Sequence, residues 1–303
     1  MMRVSIWCFT IVSTLLIFNI DGFNPVYGNT IATNIESLEH PPGDSGIPEI
    51  ISMPTDASIN QQKRIIQQTV NKESIEYPEV KNKAFQAGEY LKFSIRYLLI
   101  FAGTAELKVE EGEHYLGRDT FKIVSIARST ILFFYKVRDE IVSLIDRKGL
   151  FSWRFEKKQQ EGFYENQDIV NFYHEQKTAE RFDKSNERHI FSISPFIKDI
   201  LGAFYYIRTQ PLNIGDTYII PINDGRKNYD LEVRVVREEN IKAPAGKFNC
   251  LLLEPMLKGS SLFENKGKVF IWVTNDEHRM PVLMSSKIII GSIYVVLTDY
   301  RFQ

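Results

Sequence analysis

The chain has 303 residues, 37 Lys and Arg against 38 Asp and Glu, and a 44% hydrophobic share that includes 13% aromatics, so it can bury a real core and is not disordered throughout. A net charge of -1 excludes nucleic-acid backbone binding as a main role, because that needs clustered, unmatched cations to displace counterions. Two cysteines exclude a disulfide scaffold and any multi-cysteine metal centre.

Residues 1–28 read as a secretory signal: Arg3, an apolar run from Val4 to Phe18, then a polar stretch ending Val26-Tyr27-Gly28. The run falls short of the ~20 apolar residues that a spanning helix needs. Tyr27 makes an untidy cleavage site, which keeps an uncleaved anchor as the alternative. Cys8 lies inside the run, so lipoprotein anchoring is not indicated. The mature chain is expected to be periplasmic, with Cys250 as its one thiol, placed between Phe248 and Leu252 as a buried free cysteine.

Residues 29–83 hold one aromatic, Tyr77, and prolines at 41, 42, 48, 54 and 78. Such a segment buries too little to offset its ordering entropy and is expected to be a flexible tether, with one short helix at 60–70. A single domain is expected over 84–303, where aromatics become frequent.

The period in that domain is two. Leu91, Phe93, Ile95, Tyr97, Leu99 and Phe101 form one apolar face with Lys92, Ser94 and Arg96 between them. Ala105, Leu107 and Val109 repeat the pattern, as do Leu231, Val233 and Val235, then Val269, Ile271 and Val273. Turn signals at Gly112, Gly117, Gly149, Gly162, Asp224-Gly225, Pro244-Ala245-Gly246, Gly267 and Gly291 separate the runs, and Asp224-Gly225 reads as a two-residue hairpin turn. Short connections imply antiparallel neighbours. The fold class is mainly β: a large curved antiparallel meander of roughly ten or eleven strands, barrel or half-barrel.

One segment departs from this pattern. Ser194-Pro195 reads as the N-cap and first residue of a helix running to Arg208, apolar around most of its girth and so buried. Gly202 would let its backbone approach the sheet. Residues 131–135 read as a shorter helix or turn.

Four segments carry a family resemblance: Gly88 to Phe93 with Ala102 to Ala105; Asp139, Ser143 to Asp146 and Gly162-Phe163-Tyr164; Lys198 to Arg208 with Pro211-Leu212 and Gly215; and Gly246 to Cys250, residues 267–274, Arg279, Pro281-Val282 and Ile290 to Ser292. Together they resemble the bacterial exported domain-of-unknown-function family numbered 3108. The family implies export and supplies no activity. At fold level the pattern is similar to the half-barrels of periplasmic lipoprotein carriers, which implies an apolar concavity for acyl chains.

Catalytic groups are sparse, and no enzyme activity is expected. Glu110, Glu111, Glu113 and His114 lie at a turn and read as a solvated acidic loop, and Asp276-Glu277-His278 reads as a turn that satisfies its own backbone. His174 and His189 read as surface or hydrogen-bonded histidines. No hydrolase elbow, metalloprotease pair or phosphate loop is present, so no catalytic residue, metal or cofactor is assigned. The ligand-binding candidates are Phe204, Tyr205, Tyr206 and Arg208, with two uses open: plain core, or the floor of a cavity where phenols and a guanidinium meet a lipid headgroup. The expected partner is a lipid or acyl chain of the envelope. The alternative is a structural or interaction module that holds an envelope protein through the tether.

Overall fold

The period-two pattern is realised as strands throughout the residues that this computed structural model describes, which are 75–98, 100–131, 135–258, 268–287 and 291–302. The leader, the tether up to residue 74 with its short helix, and residues 132–134 lie outside the described residues. From Tyr77 on, the described chain belongs to one compact unit.

The first half runs β1 (Tyr90–Tyr97), β2 (Ile100–Glu111), β3 (Thr120–Ile131), β4 (Tyr135–Asp146), β5 (Ser152–Glu161), β6 (Tyr164–Tyr173), β7 (Thr178–Phe182) and β8 (Arg188–Ser192). After helix α1 (Ile200–Arg208) come β9 (Thr217–Asn223), β10 (Asn228–Ala243), β11 (Gly246–Lys258), β12 (Val269–Thr274), β13 (Pro281–Lys287) and β14 (Ser292–Arg301). All fourteen belong to one antiparallel sheet, ordered β8 back to β1 and then β14 back to β9. Every sequential pair is a hairpin except β8 and β9, the two edges, which α1 connects. The sheet is a curved half-barrel and is not closed. Its edges are still drawn together. Lys198 N–H donates to Pro221 O at 3.3 Å, Asn223 N–H to Lys198 O at 2.8 Å, and Asn228 Nδ2 to Ser192 O at 2.8 Å.

The count is fourteen rather than ten or eleven for two reasons. The run Leu91 to Phe101 is two strands: β1 stops at Tyr97, and Leu98, with a φ of 54°, turns the chain into β2. Nothing at Leu98 has turn chemistry, because Gly, Asn and Asp are the residues that tolerate positive φ. In addition, β7 and β8 are polar and only five residues each, with little alternation to detect.

Elsewhere the inward residues are the expected ones. Leu91, Phe93 and Ile95, Leu107 and Val109, Leu231, Val233 and Val235, and Val269, Ile271 and Val273 are all buried and join α1 in one continuous core. Each such side chain contributes about 1.5–3 kcal/mol on burial. The Asp224-Gly225 turn proves longer than two residues: it spans 224–227, only Gly225 takes a positive φ, and the Asp224 carboxylate accepts from the backbone N–H of Arg226 and Lys227.

The helix starts later than Ser194-Pro195. Asp199 is the N-cap, and its Oδ1 accepts from Leu201 N–H at 2.8 Å and Gly202 N–H at 2.9 Å. Phe196, at a φ of 58°, cannot belong to a right-handed helix. A carboxylate two residues before the Leu201 N–H outcompetes a serine seven residues before it. A Cβ on Gly202 would meet Ser152 Oγ at 3.0 Å and Ile145 Cγ2 at 3.3 Å, so the glycine lets α1 lie directly on β4 and β5.

Candidate functional site

Of the four residues singled out on α1, Arg208 turns its guanidinium into the protein and bonds there. Its Nη1 and Nη2 donate to the two oxygens of Glu89 at 2.8 and 2.6 Å, and Nη2 reaches Ala84 O at 3.2 Å and His278 O at 3.1 Å. Both side chains of the pair are 0% exposed. The guanidinium also lies 4.8 Å from the Tyr205 ring and 5.5 Å from the Phe85 ring. Tyr205 is buried edge-on to Phe85, and burial, together with the Glu89 charge, pushes its phenol well above the ordinary value. Phe204 is buried, and Tyr206 is partly buried under the Lys198 ammonium, 4.2 Å from its ring.

The N-terminal end of α1 holds a second polar knot. Asp199 Oδ2 accepts from the hydroxyls of Ser143 and Ser152, and Asp199 N–H donates to Ser152 Oγ at 2.7 Å. Burial raises the Asp199 pKa even against these hydrogen bonds. Burial likewise pulls Lys198 down to about 8. On the opposite face of β5, Phe151, Trp153 and Phe196 surround His174, and Tyr77 packs on all three. The His174 ring is neutral: Nδ1 accepts from Phe196 N–H at 3.0 Å, and Nε2 donates to Ser152 O at 2.7 Å. Burial lowers its pKa to about 4. Asp146 closes this layer with Arg118. Burial would raise it, but the guanidinium and the N–H groups of Gly149 and Lys148 hold it below the carboxylate norm. Each of these groups serves a neighbour in the fold.

Open space lies on the other side of the Arg208 layer. The chain from Tyr77 to Glu89 crosses the end of the sheet as a strap: Tyr77 stacks on Phe151 at 5.8 Å, Val80 N–H donates to Lys148 O at 2.8 Å, and Phe85 enters the core. Residues 77–83, placed in the tether by composition, thus pack on the domain. A groove of about 500 Å³ runs beside the strap. Phe85, Phe121 and Phe302 supply its apolar lining, and Lys83, Arg147 and Lys148 its cations. Arg147 lies 4.6 Å over the Phe121 ring and pairs with Glu111, Lys148 reaches Glu79 at 3.5 Å, and His278 stacks on Phe302 at 4.4 Å. The sequence reading missed the groove because its walls come from five separate places in the chain. The legible signal is the Arg147-Lys148-Gly149 turn, which sets two cations side by side.

The remaining candidates behave locally. Glu110 pairs with Lys122 at 3.0 Å, and His114 lies 3.0 Å from Asp119. Asp276 Oδ1 caps its own turn through His278 and Arg279 N–H. Cys250 is buried and pushed up to about 12 by burial, so it is an inert thiol. His189 lies 3.2 Å from Asp183, and with Glu187 the two bring ligand atoms within 4.8 Å of one another. Asp183 there accepts from Ser185 and Glu187 N–H, as a turn carboxylate does.

A family model described as "Protein of unknown function (DUF3108)" matches residues 92–298. No curated protein matches the chain. Among solved structures, a β-barrel-like protein of domain of unknown function DUF1849 from Brucella abortus is similar at a TM-score of 0.53 and 7% identity, covering 73% of this chain and 99% of that one. A candidate exported protein with a YmcC-like fold from Bacteroides fragilis aligns at 0.29 and 13% identity, over 74% and 100% of the two chains. A candidate lipoprotein from Parabacteroides distasonis aligns at 0.28 and 11%, over 75% and 100%. The first of these likenesses concerns fold alone.

Proposed function

The chain belongs to this family, and on that premise we propose that it is an exported, non-catalytic binding protein for an amphipathic envelope molecule, a lipid or acyl chain with an anionic end. The observation that carries the reading is the groove under the strap, where aromatic walls and three cations stand within one space of about 500 Å³. Ligand sites of this size combine apolar lining with a few placed polar groups, and an acyl chain on Phe85, Phe121 and Phe302 would set its anionic end against Lys83, Arg147 or Lys148. Phe204, Tyr205 and Arg208 then act as the packed floor beneath the ligand. The leader-like residues 1–28 support periplasmic localisation. One observation favours a second reading, an interaction module of the envelope: the inward faces pack on α1 as one core, so any ligand sits at the end of the sheet and not within it.

The test is a titration with a pyrene-labelled fatty acid, alongside native mass spectrometry of protein purified from its own envelope. Saturable uptake that weakens in Arg147→Glu and in Phe302→Ser, with unchanged thermal unfolding, supports the groove. Absence of uptake by the wild type, or uptake indifferent to both substitutions, removes it.

A further inference from the structure

In an antiparallel meander, alternate hairpins turn at the same end of the sheet. The β1–β2 and β5–β6 turns therefore share one rim, opposite the end where the β4–β5 and β12–β13 turns border the groove. The β12–β13 turn is polar, Asn275 to Arg279, and the β4–β5 turn opens with Arg147-Lys148-Gly149. On the shared rim the tips are greasy. Leu98 is 47% exposed, Ile100 69% and Phe101 64%, while Phe163 is fully exposed and Tyr164 half-exposed. Chance scatters single apolar residues over a surface, whereas these occupy the tips of two hairpins on one edge. The polar turns 183–187 and 224–227, at the far ends of the sheet, bound the patch.

Hairpin tips usually carry Gly, Asn or Asp. At the β1–β2 tip a leucine takes the left-handed conformation instead, held by Leu98 N–H donating to Ser292 O at 3.0 Å. Gly291 makes room for it, since a Cβ there would stand 2.8 Å from Leu98 Cδ2. At the β5–β6 tip, Gly162 N–H donates to Lys136 O at 2.9 Å, which sets Phe163 beside the start of β4.

Cations ring these tips. Arg96, which pairs in register with both Phe101 and Tyr294, is exposed, as are Lys136, Arg138 and Lys287. None of the four has a carboxylate partner among the described residues. β1 and β5 stand four strands apart, which separates the two tips by about 19 Å along the rim. Separate greasy points with unmatched cations between them suit a lipid surface better than a protein partner, whose interface core excludes charge. Further along the strands the outer face carries Glu106, Lys108, Glu110 and Lys122 in ion pairs, which limits insertion to the headgroup boundary and rules out a spanning barrel.

We propose that the protein docks on anionic bilayers by this rim, with Leu98, Ile100, Phe101, Phe163 and Tyr164 entering the interface and Arg96, Lys136, Arg138 and Lys287 meeting headgroups. The docking is independent of the groove, which lies at the opposite end of the strands.

Vesicle co-flotation of the processed protein from its own host tests it, using phosphatidylglycerol mixed with phosphatidylethanolamine, and phosphatidylcholine as the neutral control. The wild type is expected on the anionic vesicles, less so at high salt. Phe101→Ser/Phe163→Ser and Lys136→Glu/Lys287→Glu are each expected to weaken binding about tenfold or more with unchanged thermal unfolding. Arg147→Glu, which disables the groove, is expected to float as the wild type does, so failure of one site is distinguishable from failure of the other. Three results overturn the proposal: wild-type protein absent from anionic vesicles, rim variants that float as the wild type does, or sedimentation showing that the rim pairs two copies without lipid.

Discussion

Removing Arg208 or Glu89 one at a time separates a structural ion pair from a ligand-binding arginine. Both side chains are wholly inside the protein, and two short hydrogen bonds at 2.8 and 2.6 Å join them. Such a pair adds little net stability over apolar residues of the same size, but deleting one partner strands a charge and costs about 3–5 kcal/mol. In a domain of this length that is a drop in Tm of roughly 10 °C or more. The two deletions should differ. A stranded carboxylate can take up a proton, whereas a guanidinium cannot, so Glu89→Met is expected to be the worse variant. The double variant Glu89→Met/Arg208→Met is expected to recover most of the loss, leaving the Ala84 and His278 carbonyls as the residual cost. Urea unfolding of the four proteins gives the cycle. Losses that add in the double variant, or an Arg208→Met protein as stable as wild type, would refute the buried-pair account and return Arg208 to the list of ligand contacts.

Three further predictions come from the buried polar groups. Asp199→Ala removes a cap and strands the Ser143 and Ser152 hydroxyls, so a loss of about 2–3 kcal/mol is expected in urea unfolding. Asp199→Asn keeps the cap acceptor without a charge to bury and is expected to cost far less. His174 is held neutral with its pKa near 4, so the unfolded chain binds the extra proton between pH 6.5 and about 4, and stability falls as pH drops through that window, by on the order of 3 kcal/mol. His174→Phe should flatten that slope in thermal scans. Glu161 behaves in the opposite sense. Burial, with the nearby Asp139 charge, pushes it up to about 7, so the folded state binds the extra proton and stability rises as pH falls from about 7 toward 4.5. Glu161→Gln is therefore expected to exceed the wild type in Tm at pH 8 and to lose that advantage at pH 5; an unchanged difference would remove the assignment.

Much of the fold is legible in the sequence because two signals agree. Leu231, Val233 and Val235, or Val269, Ile271 and Val273, alternate over a full strand between turn residues, and period and punctuation together fix both the strand and its inward face. The helix is legible as a buried apolar stretch, but its start is not. Ser194-Pro195 matches a helix start locally, and the competing cap, Asp199, prevails through hydroxyls on β4 and β5 that no sequence window contains. The candidate site is less legible still. The groove depends on the strap at 79–86 meeting Phe121, Arg147, His278 and Phe302, and only the completed sheet brings them together.

The place where the pattern misleads is itself informative. Leu91 to Phe101 reads as one apolar face because a turn with no turn residues interrupts it, and the chain carries that turn through a leucine with a φ of 54°. A glycine at Leu98 would relieve a left-handed conformation that costs an L-residue about 1–2 kcal/mol, and it would also delete an exposed apolar tip. On stability alone Leu98→Gly should then be neutral or favourable. If Leu98 serves lipid docking instead, the same change keeps or raises Tm while lowering retention on anionic vesicles. Thermal scans and co-flotation on one preparation give the two numbers. A variant that loses stability and keeps its vesicle affinity would show Leu98 to be a packing residue against Gly291, and the rim would then have to function without it.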